Sequence, residues 1–172
     1  MPIYTKIGDQ GQSSLYNGDK LPKTNPVFEL LGKMDELNAT IGICCSLCTQ
    51  SSLITEWQEI QKKLFAISAK IAKAQQVRNQ VLPTDITNLE TKIDTYMTKA
   101  GPLTSFILPG GSPLGAQLHY TRTIVRTVER TFFQIEEQPP NPAIGPYLNR
   151  LSDYFFAVAR LVNKEQATEI TW

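Results

Sequence analysis

Apolar side chains recur at steps of three and four along most of this chain, and the phase of that recurrence predicts five helices. The first is seamed by Val27, Leu30, Leu31, Met34, Leu37, Ile41, Cys44, Cys45 and Cys48. The second carries Leu53, Trp57, Ile60, Leu64, Ile67 and Ile71, a pattern suited to helices packed nearly parallel or antiparallel. A shorter third follows with Ile86, Leu89, Ile93 and Tyr96. The fourth has Leu114, Leu118, Thr121, Val125, Val128, Phe132 and Ile135, and the fifth has Leu148, Leu151, Phe155, Val158 and Val162.

Capping residues set the boundaries. Asn25-Pro26 and Ser112-Pro113 each place a side-chain acceptor before a proline at the first helical position. The third helix starts after Pro83 and stops at Gly101-Pro102. Residues 72–84 read as containing a surface loop, and no period-2 alternation longer than "TSFIL" appears. The predicted fold class is all-α: a five-helix bundle of residues 25–164, preceded by a non-helical arm of residues 1–24 and followed by a tail of residues 165–172. A length of 172 residues with 41% hydrophobic residues suits one such domain, 1–172.

Charge narrows the partners. With 17 basic and 16 acidic residues the net charge is +1, so nothing global draws the chain to nucleic acid or anionic lipid. Any anion site must be local. No apolar run approaches the roughly 20 residues of a membrane span, and "MPIYTKIGDQG" has no signal-peptide character. A cytoplasmic protein is the expectation. Cys44, Cys45 and Cys48 have no second ligand pair, and the single His, His119, is remote. They read as buried thiols in a reducing compartment.

Three stretches carry candidate chemistry. On the fourth helix Arg122, Arg126, Glu129 and Arg130 share the face away from the seam. They read either as a solvated face with intrahelical ion pairs or as guanidinium forks for a polyphosphate. Asn149, Asp153 and Arg160 lie off the seam of the fifth helix, where Asn149 suits a nucleotide contact or an ordinary exposed position. Phe106 precedes Leu108-Pro109-Gly110-Gly111, and the helix start beyond reads either as free N–H groups that suit an anion or as an ordinary Gly-Gly-Ser-Pro helix start. The arm stretch "YTKIGDQGQSSL" lacks P-loop spacing, but its Gly8 and Gly11, the hydroxyls of Thr5, Ser13 and Ser14, and Lys6 with Lys23 suit a phosphate cradle; a disordered tail is the other reading.

Together these segments resemble one family. Tyr4 to Leu15, Met34-Asp35-Glu36-Leu37-Asn38-Ala39, Phe106 to Gly111, Arg122 to Arg130 and Tyr147 to Phe156 are similar, in order and spacing, to five motifs of the ATP:cob(I)alamin adenosyltransferases of the propanediol-utilisation type. The resemblance runs from residue 3 to about residue 162. It implies a homotrimer of five-helix bundles, with ATP as co-substrate bound between subunits, a magnesium ion, and cobalamin as substrate.

By the same resemblance, Thr5, Lys6, Ile7, Gly8, Ser13, Ser14 and Lys23 contact ATP from the arm, and Arg126, Thr127, Glu129, Arg130 and Asn149 contact it from the helices. Asp35 and Arg122 match an ion pair across the subunit boundary, and Phe106 matches an aromatic residue under the corrin ring. Arg126 and Phe106 are the expected catalytic residues. Ile7 stands where the family usually has Thr, and Thr127 where it has a second Arg, which implies a raised ATP requirement. A relative that binds nucleotide and corrinoid with weak turnover is the alternative. An electron-donating reductase and an adenosylcobalamin-dependent acceptor enzyme complete the implied partners, without nucleic acid or membrane.

Overall fold

The computed structural model describes residue 4, residues 6–135, residue 139 and residues 141–172. Thr5 and the side chain of Ile7 lie outside the described residues. Five long helices account for most of the chain: α1 Pro26–Leu47, α2 Ser51–Ile71, α3 Pro83–Ala100, α4 Pro113–Phe132 and α5 Ile144–Glu165. Asn25 caps α1 by accepting from the Val27 N–H, and Ser112 caps α4 by accepting from the Gly115 N–H. Both prolines occupy the first turn, where a missing N–H costs nothing.

Helix α1 packs against α2 and α4, and α5 packs against α4 and α3. One core joins them, with Leu30, Leu37, Ile41, Trp57, Leu64, Leu118, Val125, Val128, Leu148, Leu151, Phe155 and Val158 all buried. Helix α5 is enclosed on nearly every side, so its burial exceeds a single stripe: Tyr147, Tyr154, Ala157, Ala159, Arg160 and Asn163 are buried with the seam residues. Arg160, which the seam leaves on the outside, is therefore an interior residue. The Trp57 indole donates to the Tyr154 hydroxyl at 3.0 Å, and that hydroxyl donates to Glu56, which Lys92 pairs at 2.7 Å. This chain of partners satisfies polar groups that the packing of α2, α3 and α5 takes from water.

Two details differ from the pattern-based expectation. The arm holds a 3-10 turn, Ile7–Gln10, and an antiparallel pair, β1 Gln12–Ser14 with β2 Lys20–Pro22 in the register Ser13↔Leu21. Strands of three residues are too short to carry a legible alternation. The thiols also divide: Cys44 and Cys48 are buried while Cys45 is half-buried. Cys45 sits on the edge of a stripe that the third thiol leaves by ending the helix at Cys48. The loop 72–82 is fastened by Lys63, which pairs with Asp85 at 2.8 Å and donates to the Gln80 carbonyl at 3.0 Å.

Candidate functional site

The arm is anchored at one point of the bundle. Leu15 is buried there, the Tyr16 N–H donates to the Ala72 carbonyl at 2.8 Å, and Asp19 meets Lys73 at 3.5 Å. Beyond that anchor, Lys6, Ser13 and Ser14 line a polar cavity of about 570 Å³. Asp9, Gln10, Gln12 and Lys20 complete its wall, and none of these four was singled out by pattern. Lys6 adopts a left-handed φ of 61°, a backbone strain of the kind found at binding sites. Gly8 lies beneath Lys23: a Cβ at Gly8 would stand 3.1 Å from the Lys23 amine. The Lys23 N–H in turn donates to the Gly11 carbonyl at 2.8 Å. Gly8 and Lys23 are thus brought together with the turn that carries Lys6.

The helix residues form a second, separate group. Arg126 and Arg130 are exposed on α4, with Glu129 half-buried between them. Asn149 on α5 donates to Glu129 at 2.8 Å and accepts from Arg150 at 2.7 Å. Arg150 also pairs with Glu90 of α3 at 2.9 Å, so a string of charges links three helices. Thr127 accepts a hydrogen bond from the Arg130 guanidinium at 3.2 Å and so aims that fork. Among the described residues no hydrogen bond joins this face to the arm cavity.

The third feature is apolar. Leu103, Phe106, Ile107, Pro109, His119, Arg122 and Phe156 line a cavity of about 610 Å³ between the α3–α4 loop and helices α4 and α5. Phe106 stands at its rim with 78% of its surface exposed. An aromatic side chain this exposed is held by its loop. Asn163 of α5 donates to the Gly110 carbonyl at 2.8 Å and accepts from the Ser112 N–H at 3.0 Å and from its hydroxyl at 3.1 Å. Gly111 takes a left-handed φ of 96°, and a Cβ there would overlap Asn163 at 2.4 Å.

Among the described residues, both ring nitrogens of His119 are buried without a hydrogen-bond partner, and so is Nε of Arg122. Burial pushes the His119 imidazole below its ordinary value, and the nearby Arg122 charge adds to this. Burial and Arg126 likewise lower the pKa of Arg122. Asp35 is exposed on α1 and has no ion-pair partner among the described residues, so it does not meet Arg122 within one chain.

A sequence profile described as cobalamin adenosyltransferase covers residues 3–162. The chain belongs to the cobalamin adenosyltransferase family. It is 36% identical over 165 residues to the corrinoid adenosyltransferase PduO of Salmonella typhimurium, covering 93% of this chain and 49% of that protein. The chain thus spans about half the length of that relative. It is 38% identical over 169 residues to the corrinoid adenosyltransferase of Bacillus subtilis, covering 95% of this chain and 87% of the relative.

A solved PduO-type ATP:corrinoid adenosyltransferase variant from Lactobacillus reuteri, complexed with cobalamin and ATP, superimposes with a TM-score of 0.91 at 36% identity. That match covers 99% of this chain and 96% of the other. Pattern alone left Asn163, Arg150 and Glu90 unmarked, and it marked Arg160 only as a polar residue off the seam of the fifth helix, where the fold makes it a buried, paired one. The near-continuous apolar run "YFFAVARLV" was the one signal that α5 is wholly enclosed and that its polar residues need internal partners.

Proposed function

We propose that the protein is an ATP:corrinoid adenosyltransferase, moving the 5′-deoxyadenosyl group of ATP to cob(I)alamin. The observation that carries this reading is Phe106, held exposed at the rim of a cavity of about 610 Å³ whose wall is largely apolar. Such a wall suits one face of a large, flat macrocycle. Family membership and the ATP and cobalamin complexes of the relative support it.

In this reaction the Co(I) lone pair forms the cobalt–carbon bond at the 5′ carbon of ATP. The carbon–oxygen bond breaks, and its electron pair leaves with triphosphate. No proton is moved, so the reaction asks no general base of the site. The protein's tasks are alignment, charge neutralisation and exclusion of water. Lys6, Lys23, Ser13 and Ser14 hold the phosphates from the arm, with Thr5, Ile7 and Gly8 in the same stretch. Arg126 and Arg130 stabilise the departing triphosphate, and Asn149, aimed by Glu129, addresses the nucleoside. Thr127 acts through Arg130.

A magnesium ion fits this donor set. Asp9 and the Ser13 and Ser14 hydroxyls supply the hard oxygens that magnesium takes beside substrate phosphates. When bound, the ion neutralises charge on the leaving group. The arm cavity and the guanidinium face share no hydrogen bond among the described residues, which supports a reading in which the ATP site is completed between subunits of a homotrimer. Asp35 and Arg122 pair across that boundary. Phe106 occupies the lower axial side of the corrinoid and displaces its ligand, which eases reduction of Co(II). The setting is cytoplasmic, with a reductase upstream and an adenosylcobalamin-dependent enzyme downstream; no described helix is long and apolar enough to cross a membrane.

A single-turnover assay tests the reading. Protein mixed with ATP, magnesium and cob(I)alamin should yield adenosylcobalamin and triphosphate in equal amounts. A thermal shift with ATP but no triphosphate release would leave a binding protein in place of an enzyme.

A further inference from the structure

The residues beyond α5 turn back onto the loop that carries Phe106. The reversal passes through Ala167 at a φ of 52°, where glycine is the usual residue. The Thr168 N–H reaches the Asn163 carbonyl at 2.8 Å and the Ala167 N–H reaches that of Lys164 at 3.2 Å. The next residues run antiparallel to the loop, with Thr171 bridged to Ile107. The Leu108 N–H donates to the Ile170 carbonyl and the Trp172 N–H to the Phe106 carbonyl, each at 2.9 Å. The Trp172 ring lies 6.3 Å from that of Phe106.

Beneath this segment is a buried ion pair. Arg160 is 2% exposed and donates to both carboxylate oxygens of Glu169, at 3.1 and 3.3 Å. A third donor of the same guanidinium reaches the Gly101 carbonyl at 3.1 Å. One side chain therefore holds both the segment and the start of the loop, while Asn163 holds the loop's end. Phe106 itself has no core packing that could fix it.

We infer that segment 168–172 is a strap that sets the position of Phe106, and that Arg160 with Glu169 is the latch that keeps it closed. Glu169 is a positioning residue and Phe106 is the group it positions. A guanidinium this deeply buried needs its carboxylate, so the latch has one satisfied state, with the strap down. The inference rests on the reading of Phe106 as the residue that faces the corrinoid.

Glu169→Ala and the exposed-site variant Trp172→Ala test it in the full chain. Amide hydrogen exchange at Leu108 and Trp172 reads the strap directly. Adenosylation started from Co(II) with a mild reductant, and from pre-reduced Co(I), reads Phe106. In Glu169→Ala both amides should exchange at least tenfold faster while amides in the middle of α1 and α4 keep their protection. Conversion from Co(II) should fall about tenfold, and conversion from Co(I) by no more than about threefold. Trp172→Ala should reproduce the same split more weakly without loss of Tm.

Unchanged exchange at Leu108 and Trp172 in Glu169→Ala overturns the latch. An opened strap with full activity from Co(II), or equal losses from both cobalt states, overturns the positioning role. Phe106→Ala measured alongside separates the two readings: if it shows no split, the assignment of Phe106 fails, and the exchange data still decide the latch.

Discussion

Asn163 leaves no space for a side chain at Gly115: a Cβ at that glycine would lie 1.9 Å from the Asn163 side-chain oxygen. The first turn of α4 and the last turns of α5 meet there, and the same amide fastens Gly110 and Ser112. Removing the amide strands several buried partners. Asn163→Ala should therefore cost roughly 2–4 kcal/mol, and Gly115→Ala about 3 kcal/mol or more through overpacking. Urea unfolding of both variants checks this; a loss under about 1 kcal/mol in either would contradict the packing described.

Phe106→Ala should do little to the fold. With 78% of the residue exposed and the Trp172 ring 6.3 Å away, the change is about 1 kcal/mol or less. ATP binding should be unchanged. Conversion that begins from Co(II) should collapse, while conversion from Co(I), which has no lower ligand to displace, should largely survive. Equal losses in the two assays would remove the ligand-displacement role.

Arg126→Ala should raise the ATP requirement about tenfold, the size of one charge-assisted contact. Thr127→Ala should act more weakly, because Thr127 touches Arg130 at 3.2 Å and its expected effect on ATP runs through that guanidinium. ATP titrations of the two variants decide the order. If neither shifts, the α4 face does not bind nucleotide.

His119 makes stability depend on pH. Burial first, and Arg122 second, hold its folded value below the ordinary 6.5, while Glu169 pulls weakly the other way. The unfolded chain then binds a proton that the folded chain resists. This contribution to stability is present in full above the unfolded value and falls as pH drops from about 6.5 toward the folded value. Between pH 7.5 and 5.5 the parent protein should lose more Tm than His119→Leu. Parallel melting curves would refute the assignment.

Asp35 and Arg122 should behave as partners between subunits. Light scattering should give a trimer for the parent protein. Asp35→Arg and Arg122→Asp should each weaken assembly, and the double exchange should restore much of it. A monomer with full activity would reject the inter-subunit site altogether.

The helices and their caps were legible because each rests on local information. A period of three and four, an acceptor side chain and a proline mark α1 and α4 without reference to the rest of the chain. The residue types that line the arm cavity, Lys6, Ser13 and Ser14, were visible in the sequence, and so was the shared face of Arg126 and Arg130. The short strands of the arm were not, since three residues carry no readable alternation.

What the chain by itself determined is the number of helices, their phase and the chemistry available to them. The tertiary fold alone decided which polar residues are structural. Arg160 and Asn163 lie off the apolar seam of α5, and periodicity places them in solvent. Neighbouring helices and segment 168–172 enclose α5 on nearly every side, so both are buried and must find partners inside. Those partners, Glu169 and the loop from Gly101 to Ser112, are distant from the helix seams. Only packing brings them together, because a hydrogen bond between remote segments leaves no periodic trace in either one.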